Sequence, residues 1–270
     1  MKFSMSEAWR DATAMMTANR EVLLIVAGLF FFIPGAALAL ATANLQDAMV
    51  AEPENVQAMM ESFFNDWWWL IIVYFVVTMV GTLAMLALLR DHARPTVAEA
   101  LQVGLAGLLP AIATTLVLGI GLGLAAILVL TAAGVTASPA LIALAMIIVG
   151  VGFVYVYVKT SLTAPVIAID KVYNPFRVIG RSWRLTKGNS LRIFLFYLLL
   201  MAVYVVVSVV LGLIGTLVLF AVGPSAALLV NGILSGILGA ISAVVFVAVI
   251  AAIHRQLSGP SAAAVSATFE

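Results

Sequence analysis

The sequence predicts an all-α integral membrane protein of six transmembrane helices, arranged as three hairpins, each preceded by an interfacial elbow helix, with both termini cytoplasmic. Three observations lead there: the composition, the length of the uncharged runs and the placement of the cations. Of the 270 residues 64% are hydrophobic and 9% are charged, with a mean hydropathy of +1.20, whereas a soluble domain carries about 25% charged residues. A soluble core of this size needs a charged shell that so few charges do not supply, which excludes secreted, nucleic-acid-binding and cytosolic-enzyme classes. The chain holds no cysteine, so disulfide frameworks, thiolate metal sites and cysteine nucleophiles are excluded as well.

The elements follow in chain order. Ser4-Met-Ser-Glu7 is a capping box that opens the first elbow. Residues 22–43 then form an apolar run long enough to span a bilayer, which takes about 20 residues, and Pro34 is expected to bend it. A rival reading takes Ala41-Thr-Ala43 as a signal-peptide cleavage site, but the polar stretch ahead of the run is too long and the run itself is long enough to span. Val56, Met59, Met60, Phe63, Phe64 and Trp67 make a helical stripe, read as a second interfacial helix on the outer side. Span 2 occupies residues 67–89, entered through Trp67, Trp68 and Trp69 as an aromatic belt.

Thr96-Val-Ala-Glu99 is a second capping box and opens the second elbow. Residues 100–158 carry no charge and have room for two helices, with a turn at Gly134-Val-Thr-Ala-Ser-Pro139. Asn174-Pro175 places an N-cap before proline at the first helical position and opens the third elbow, which Gly188 stops. Residues 193–253, again uncharged, give two more helices around Gly223-Pro-Ser225. The recurrence of cap, elbow and hairpin suggests approximate repeats over residues 4–90, 96–159 and 174–256 within a single membrane domain, 1–256, followed by a small-residue tail, 257–270, expected to be disordered.

Charge placement sets the orientation. In the six-helix arrangement all 13 Lys and Arg fall on one side: near the N-terminus, between helices 2 and 3, between 4 and 5, and after 6. The loop after helix 1 holds Asp47, Glu52, Glu54, Glu61 and Asp66 and no cation. Because cytoplasmic flanks collect Lys and Arg, the basic side is expected to be cytoplasmic.

In the third elbow Arg177, Arg181 and Arg184 recur at i, i+4 and i+7, beside the apolar Val178, Ile179, Trp183 and Leu185. Such a helix suits the membrane interface, and each arginine near anionic headgroups gains about 1 kcal/mol. These three arginines are the candidate contacts for a lipid phosphate. The same cations also satisfy the positive-inside rule without any ligand. No ionisable residue stands near the middle of a span, which argues against a proton-coupled transporter. Lys159 and Asp170 lie toward the inner end of helix 4 and beyond it, where snorkelling or local pairing accounts for them. The neutral polar groups Asn231, Thr114 and Tyr157 would line a path if the chain carried a substrate; interhelical hydrogen bonding is their plainer role. Gly232 and Gly236 with Ala240, and Gly239 on an adjacent ladder, are expected to pack helix 6 closely, as are Gly119, Gly121 and Gly123 in helix 3. An interfacial lipid enzyme would require His92 and His254 to converge with Asp91 or Asp170. No catalytic residue, metal site or cofactor is assigned.

The segments Thr163-Ala-Pro165-Val-Ile-Ala-Ile-Asp170 and Asn174-Pro-Phe-Arg-Val-Ile-Gly-Arg-Ser182-Trp-Arg-Leu185-Thr-Lys-Gly188-Asn-Ser190, with the start Phe3-Ser-Met-Ser-Glu-Ala-Trp9, resemble bacterial six-helix proteins of the glycerophosphoryl diester phosphodiesterase membrane-domain family. The resemblance implies a bacterial inner-membrane location and an accessory or scaffolding role. Phosphodiesterase activity is not expected to carry over, since in that family it belongs to a separate soluble domain. The expected function is therefore a non-catalytic, lipid-interacting accessory or scaffold whose partners are membrane lipids, anionic phospholipid among them. The alternative is a transporter or flippase-like carrier of a lipid or small amphiphile.

Overall fold

A computed structural model describes residues 2–51, 53–90 and 96–259. They are helical throughout, with no strand among them. In chain order the helices are α1 (Met5–Ala18), α2 (Arg20–Ala27), α3 (Ile33–Ala51), α4 (Val56–Leu88), α5 (Val97–Gly134), α6 (Pro139–Thr160), α7 (Thr163–Ala168), α8 (Pro175–Leu185), α9 (Ser190–Val222) and α10 (Pro224–Ser258). Six stretches are long and apolar enough to cross a membrane: Arg20–Thr42, Val56–Leu88, Val97–Gly134, Pro139–Ala168, Ser190–Ala221 and Ala226–Ser258. This is a multi-pass membrane protein. Of the tail expected over residues 257–270, Leu257 and Ser258 instead belong to α10, and the residues beyond 259 lie outside the described residues.

The start and stop signals act largely where the sequence puts them. The Ser4 side chain accepts the Glu7 amide, Thr96 and Glu99 cap each other reciprocally, and the Asn174 side chain accepts the Arg177 amide. Gly223 adopts φ +84°, a left-handed conformation open to glycine, so α9 stops there and Pro224 begins α10. Gly188 likewise sits at φ +82° beyond α8.

Two expected boundaries are absent. The second elbow is not a separate helix, because α5 runs unbroken for 38 residues with Pro110 inside it. Ala100, Gly104, Gly107, Ala111 and Thr114 form one buried stripe on α5, and a Cβ added at Gly104 would lie 2.8 Å from the Val80 carbonyl oxygen of α4. Close packing on α4 thus continues across the expected hinge, and neighbouring helices commonly make a proline tolerable in a spanning helix. The outer interfacial helix is likewise no separate element: Val56 begins α4, whose 33 residues reach about 50 Å, well beyond a hydrocarbon layer of about 30 Å.

Span 1 is interrupted by a π-helical turn, Gly28–Phe32, directly before Pro34. Pro34 has no N–H to give Phe30, and the wider turn accommodates the missing bond. Its consequence is packing: Phe30 and Phe31 press on Gly81 of α4, while Phe32 presses on Gly236 of α10. Span 1 is wedged between those two helices.

Large buried side chains gather at the end of the bundle that carries the basic residues. Leu83 and Leu86 of α4, Ile193 and Phe196 of α9 and Val249 and Ile253 of α10 meet Leu23 of α2 and Phe3 there. Toward the other end α5, α6 and α9 expose broad apolar faces, such as Leu128, Ile147 and Leu217. The most extensive packing pairs α4 with α5 and α10 with α3, with α1 lying along α10.

Candidate functional site at the basic end

The site is built around α8. Its helical period places Val178 and Ser182 one turn apart, and both are wholly buried. Ser182 Oγ donates to the Lys159 carbonyl (2.7 Å) and accepts from the Leu162 amide (3.2 Å), so it caps the end of α6 and satisfies the break before α7. Thr186, also buried, adds bonds to the Trp183 and Ser182 carbonyls. The side of α8 is therefore latched to the α6–α7 junction. Lys159 is buried at this seam, with Nζ 5.7 Å from the Tyr155 ring centroid and 5.5 Å from that of Trp183.

Asp170 follows α7, in a turn that holds Lys171 at φ +54°. One carboxylate oxygen, Oδ2, takes two donors: Arg181 Nε at 2.5 Å and His254 Nε2 at 3.1 Å. Burial opposes ionisation of this carboxyl, but the hydrogen bonds and charges of His254 and Arg181 outweigh it and hold it below the usual aspartate range. An ionised carboxylate only accepts, so Nε2 of His254 carries the proton. The cluster ties α8 to the end of α10, with Asp170 and His254 84 residues apart in sequence. Local pairing of Asp170 was the sequence expectation; its partners were not legible.

The N-terminal segment closes on the same end. Phe3 donates its amide to Asn189 Oδ1 (2.9 Å) and accepts at its carbonyl from Arg192 (3.3 Å), while its ring lies 6.0 Å from that of Phe196. The Ser4 amide donates to Gln256 (3.3 Å), and Arg255 pairs with Asp11 (3.3 Å). Between these clamps lies an open cavity of about 440 Å³ bordered by Arg181, Arg184, Lys187 and Asn189, with Leu257 and Ser258 opposite. Two guanidinium groups and an ammonium around a polar hollow suit an anion with several acceptor oxygens, and arginine in particular suits phosphate.

The arginine triplet is therefore divided. Arg181 and Arg184 border the cavity; Arg177, exposed near the start of α8, does not. Lys187 and Asn189 take its place, and neither stood out as a ligand because both follow the end of the helix. Asn231, Thr114 and Tyr157 are not brought together. Asn231 is seated against Gly215 of α9, Thr114 is buried with its hydroxyl bonded to the Pro110 carbonyl (2.7 Å), and Tyr157 is exposed. The cavity of about 270 Å³ at Thr114 is bordered by Thr78, Thr82, Thr115 and Thr163, and neither Asn231 nor Tyr157 reaches it.

Gly232 and Gly236 pack as expected: an added Cβ would meet Leu40 at 2.8 Å and the Phe32 carbonyl oxygen at 2.9 Å. Gly239 and the α5 glycines Gly119, Gly121 and Gly123 have open space instead, which corrects the close packing expected of them. In α5 the close approach is made by Gly104 and Gly107.

His254 and Asp170 do converge, as an interfacial enzyme would need, but His254 is almost wholly buried and its Nε2 is engaged by the carboxylate. His92 and Asp91, which complete that hypothesis, lie outside the described residues. No group of three or more His, Asp or Glu side chains placed to hold a metal ion occurs among the described residues. No family model, curated protein or solved structure matches the chain.

Proposed function

We propose that the chain is a non-catalytic bacterial inner-membrane protein that holds an anionic phospholipid headgroup at its basic end and serves there as an accessory or scaffold. In this reading both termini and the basic end face the cytoplasm, and α1 and α8 are interfacial elbows of a repeated elbow-and-hairpin unit whose second elbow has merged into α5. The observation that carries it is the cavity bordered by Arg181, Arg184 and Lys187, set where the chain's cations collect and a phospholipid headgroup would lie. The resemblance of residues 163–190 to the glycerophosphoryl diester phosphodiesterase membrane domain supports the accessory role, because those residues build this end of the bundle.

The carrier reading needs a continuous polar path, and the separate placements of Asn231, Thr114 and Tyr157 favour the accessory reading over it. The test is thermal unfolding of the protein in nanodiscs of phosphatidylcholine with and without phosphatidylglycerol. Stabilisation by phosphatidylglycerol in the wild type, reduced in Arg184→Gln/Lys187→Gln, is the expected result. Equal stabilisation of both proteins would return these cations to a purely topological role.

A further inference from the structure

At the opposite end of the bundle, about 40 Å away along α10 from the basic cavity, a further cavity opens between α3 and α4. Its volume is about 790 Å³, within the range of about 300–1,000 Å³ usual for small-molecule sites. Ala37, Ala41 and Leu45 form one wall at intervals of four residues, and Met59, Phe63 and Leu70 form the other. The alanines make the room: two short side chains in successive turns of α3 leave the aromatic face of α4 without a filling partner. At the mouth the Trp67 and Trp69 rings lie 6.1 Å apart at 31°, and Trp69 Nε1 donates to the Asp66 carbonyl (3.1 Å), which fixes that ring beside the opening. Asp66, exposed at the rim, is also a lining residue, and its carboxylate has no hydrogen-bond or ion-pair partner among the described residues.

Charge indicates the occupant. From residue 22 to 89 the chain carries Asp47, Glu52, Glu54, Glu61 and Asp66 and no Lys, Arg or His. An anionic ligand would meet only repulsion here, and a purely apolar one would leave the carboxylate unused. A cation with an apolar body meets all three features: the apolar walls, the indole faces and the unpaired carboxylate. We infer that the cleft between α3 and α4 is a binding site for a lipophilic cation, an apolar molecule bearing a quaternary ammonium or phosphonium centre, with Asp66 as counter-ion and Trp67 and Trp69 as the aromatic contacts. The site is independent of the basic cavity and of opposite sign.

The test is equilibrium dialysis of the full chain in a nonionic detergent against tetraphenylphosphonium and against its anionic isostere tetraphenylborate. Saturable binding of one phosphonium per chain, absent for the borate, is expected. Asp66→Asn should weaken that binding about fivefold, while Glu54→Gln, an acid of the same segment that does not border the cavity, should leave it unchanged. Equal uptake of both ions would mean that the cleft takes any apolar group, a detergent chain included, and would overturn the proposal. So would equal weakening by both variants, binding unaffected by Asp66→Asn, or a dimer in light scattering with no saturable binding, the mark of a second copy in the cleft. The Arg184→Gln/Lys187→Gln protein serves as a control: a failure of the basic site leaves phosphonium binding untouched.

Discussion

Asp170 joins three parts of the chain through one oxygen, holding Arg181 of α8 against His254 of α10. Removing its charge leaves a largely buried histidine facing a weaker acceptor, so Asp170→Asn should cost about 1–3 kcal/mol, read as a lowered unfolding midpoint in detergent at pH 7. The pH dependence follows from the direction of its shift. The folded carboxyl titrates below the unfolded value of about 3.9, so its contribution is complete above that value and is lost as the pH falls through the lower folded one. Wild-type and Asp170→Asn midpoints should therefore differ at pH 7, begin to converge below about pH 4 and meet only below the lower folded value; a gap that persists unchanged in strong acid would contradict the pairing. At this scale the sequence was half legible. Arg181, Arg184 and Asp170 stood out by type and spacing, but His254 and Asn189 meet their partners only through tertiary packing, across separations that no local period reveals.

Helices are recognised by what they bury, and here neither residue type nor spacing alone foretold which small residues would be covered. Gly232, Gly236 and Ala240 recur at four-residue intervals on one face, and the two glycines lie against Leu40, Phe32 and Ala36 of span 1. Gly119 and Gly123 are also four residues apart, yet they, Gly121 and Gly239 pack against nothing within 4 Å. Gly236→Ala should accordingly cost about 1–3 kcal/mol by driving a methyl into the Phe32 carbonyl. Gly121→Ala should be neutral or stabilise by up to about 1 kcal/mol through helix propensity; the two unfolding midpoints measured side by side check the contrast. Ser182→Ala should cost about 1–3 kcal/mol, because it leaves both the Lys159 carbonyl and the Leu162 amide without this partner. Boundaries were less legible than elements. The capping box at Thr96 correctly marked a helix start, yet nothing local disclosed that packing on α4 would carry α5 straight through Pro110.

Across the whole molecule charge and packing are segregated along the bundle. The described cations and most of the large buried side chains lie at one end, and Glu54, Glu61 and Asp66 lie toward the other, at the start of α4 and just before it. The six spans were legible because uncharged length is a one-dimensional signal; the two cavities were not, since each forms where elements distant in sequence or folded back on one another leave space. With no native cysteine, orientation can be read cleanly: Glu54→Cys should react with a membrane-impermeant maleimide on intact spheroplasts, and Lys187→Cys only after permeabilisation. Whether the basic cavity holds a phospholipid headgroup is read from native mass spectrometry of the gently extracted protein. One anionic phospholipid should be retained per wild-type chain and lost from Arg184→Gln/Lys187→Gln. Equal retention by both proteins, or retention of zwitterionic lipid alone, would contradict an anionic headgroup in that cavity.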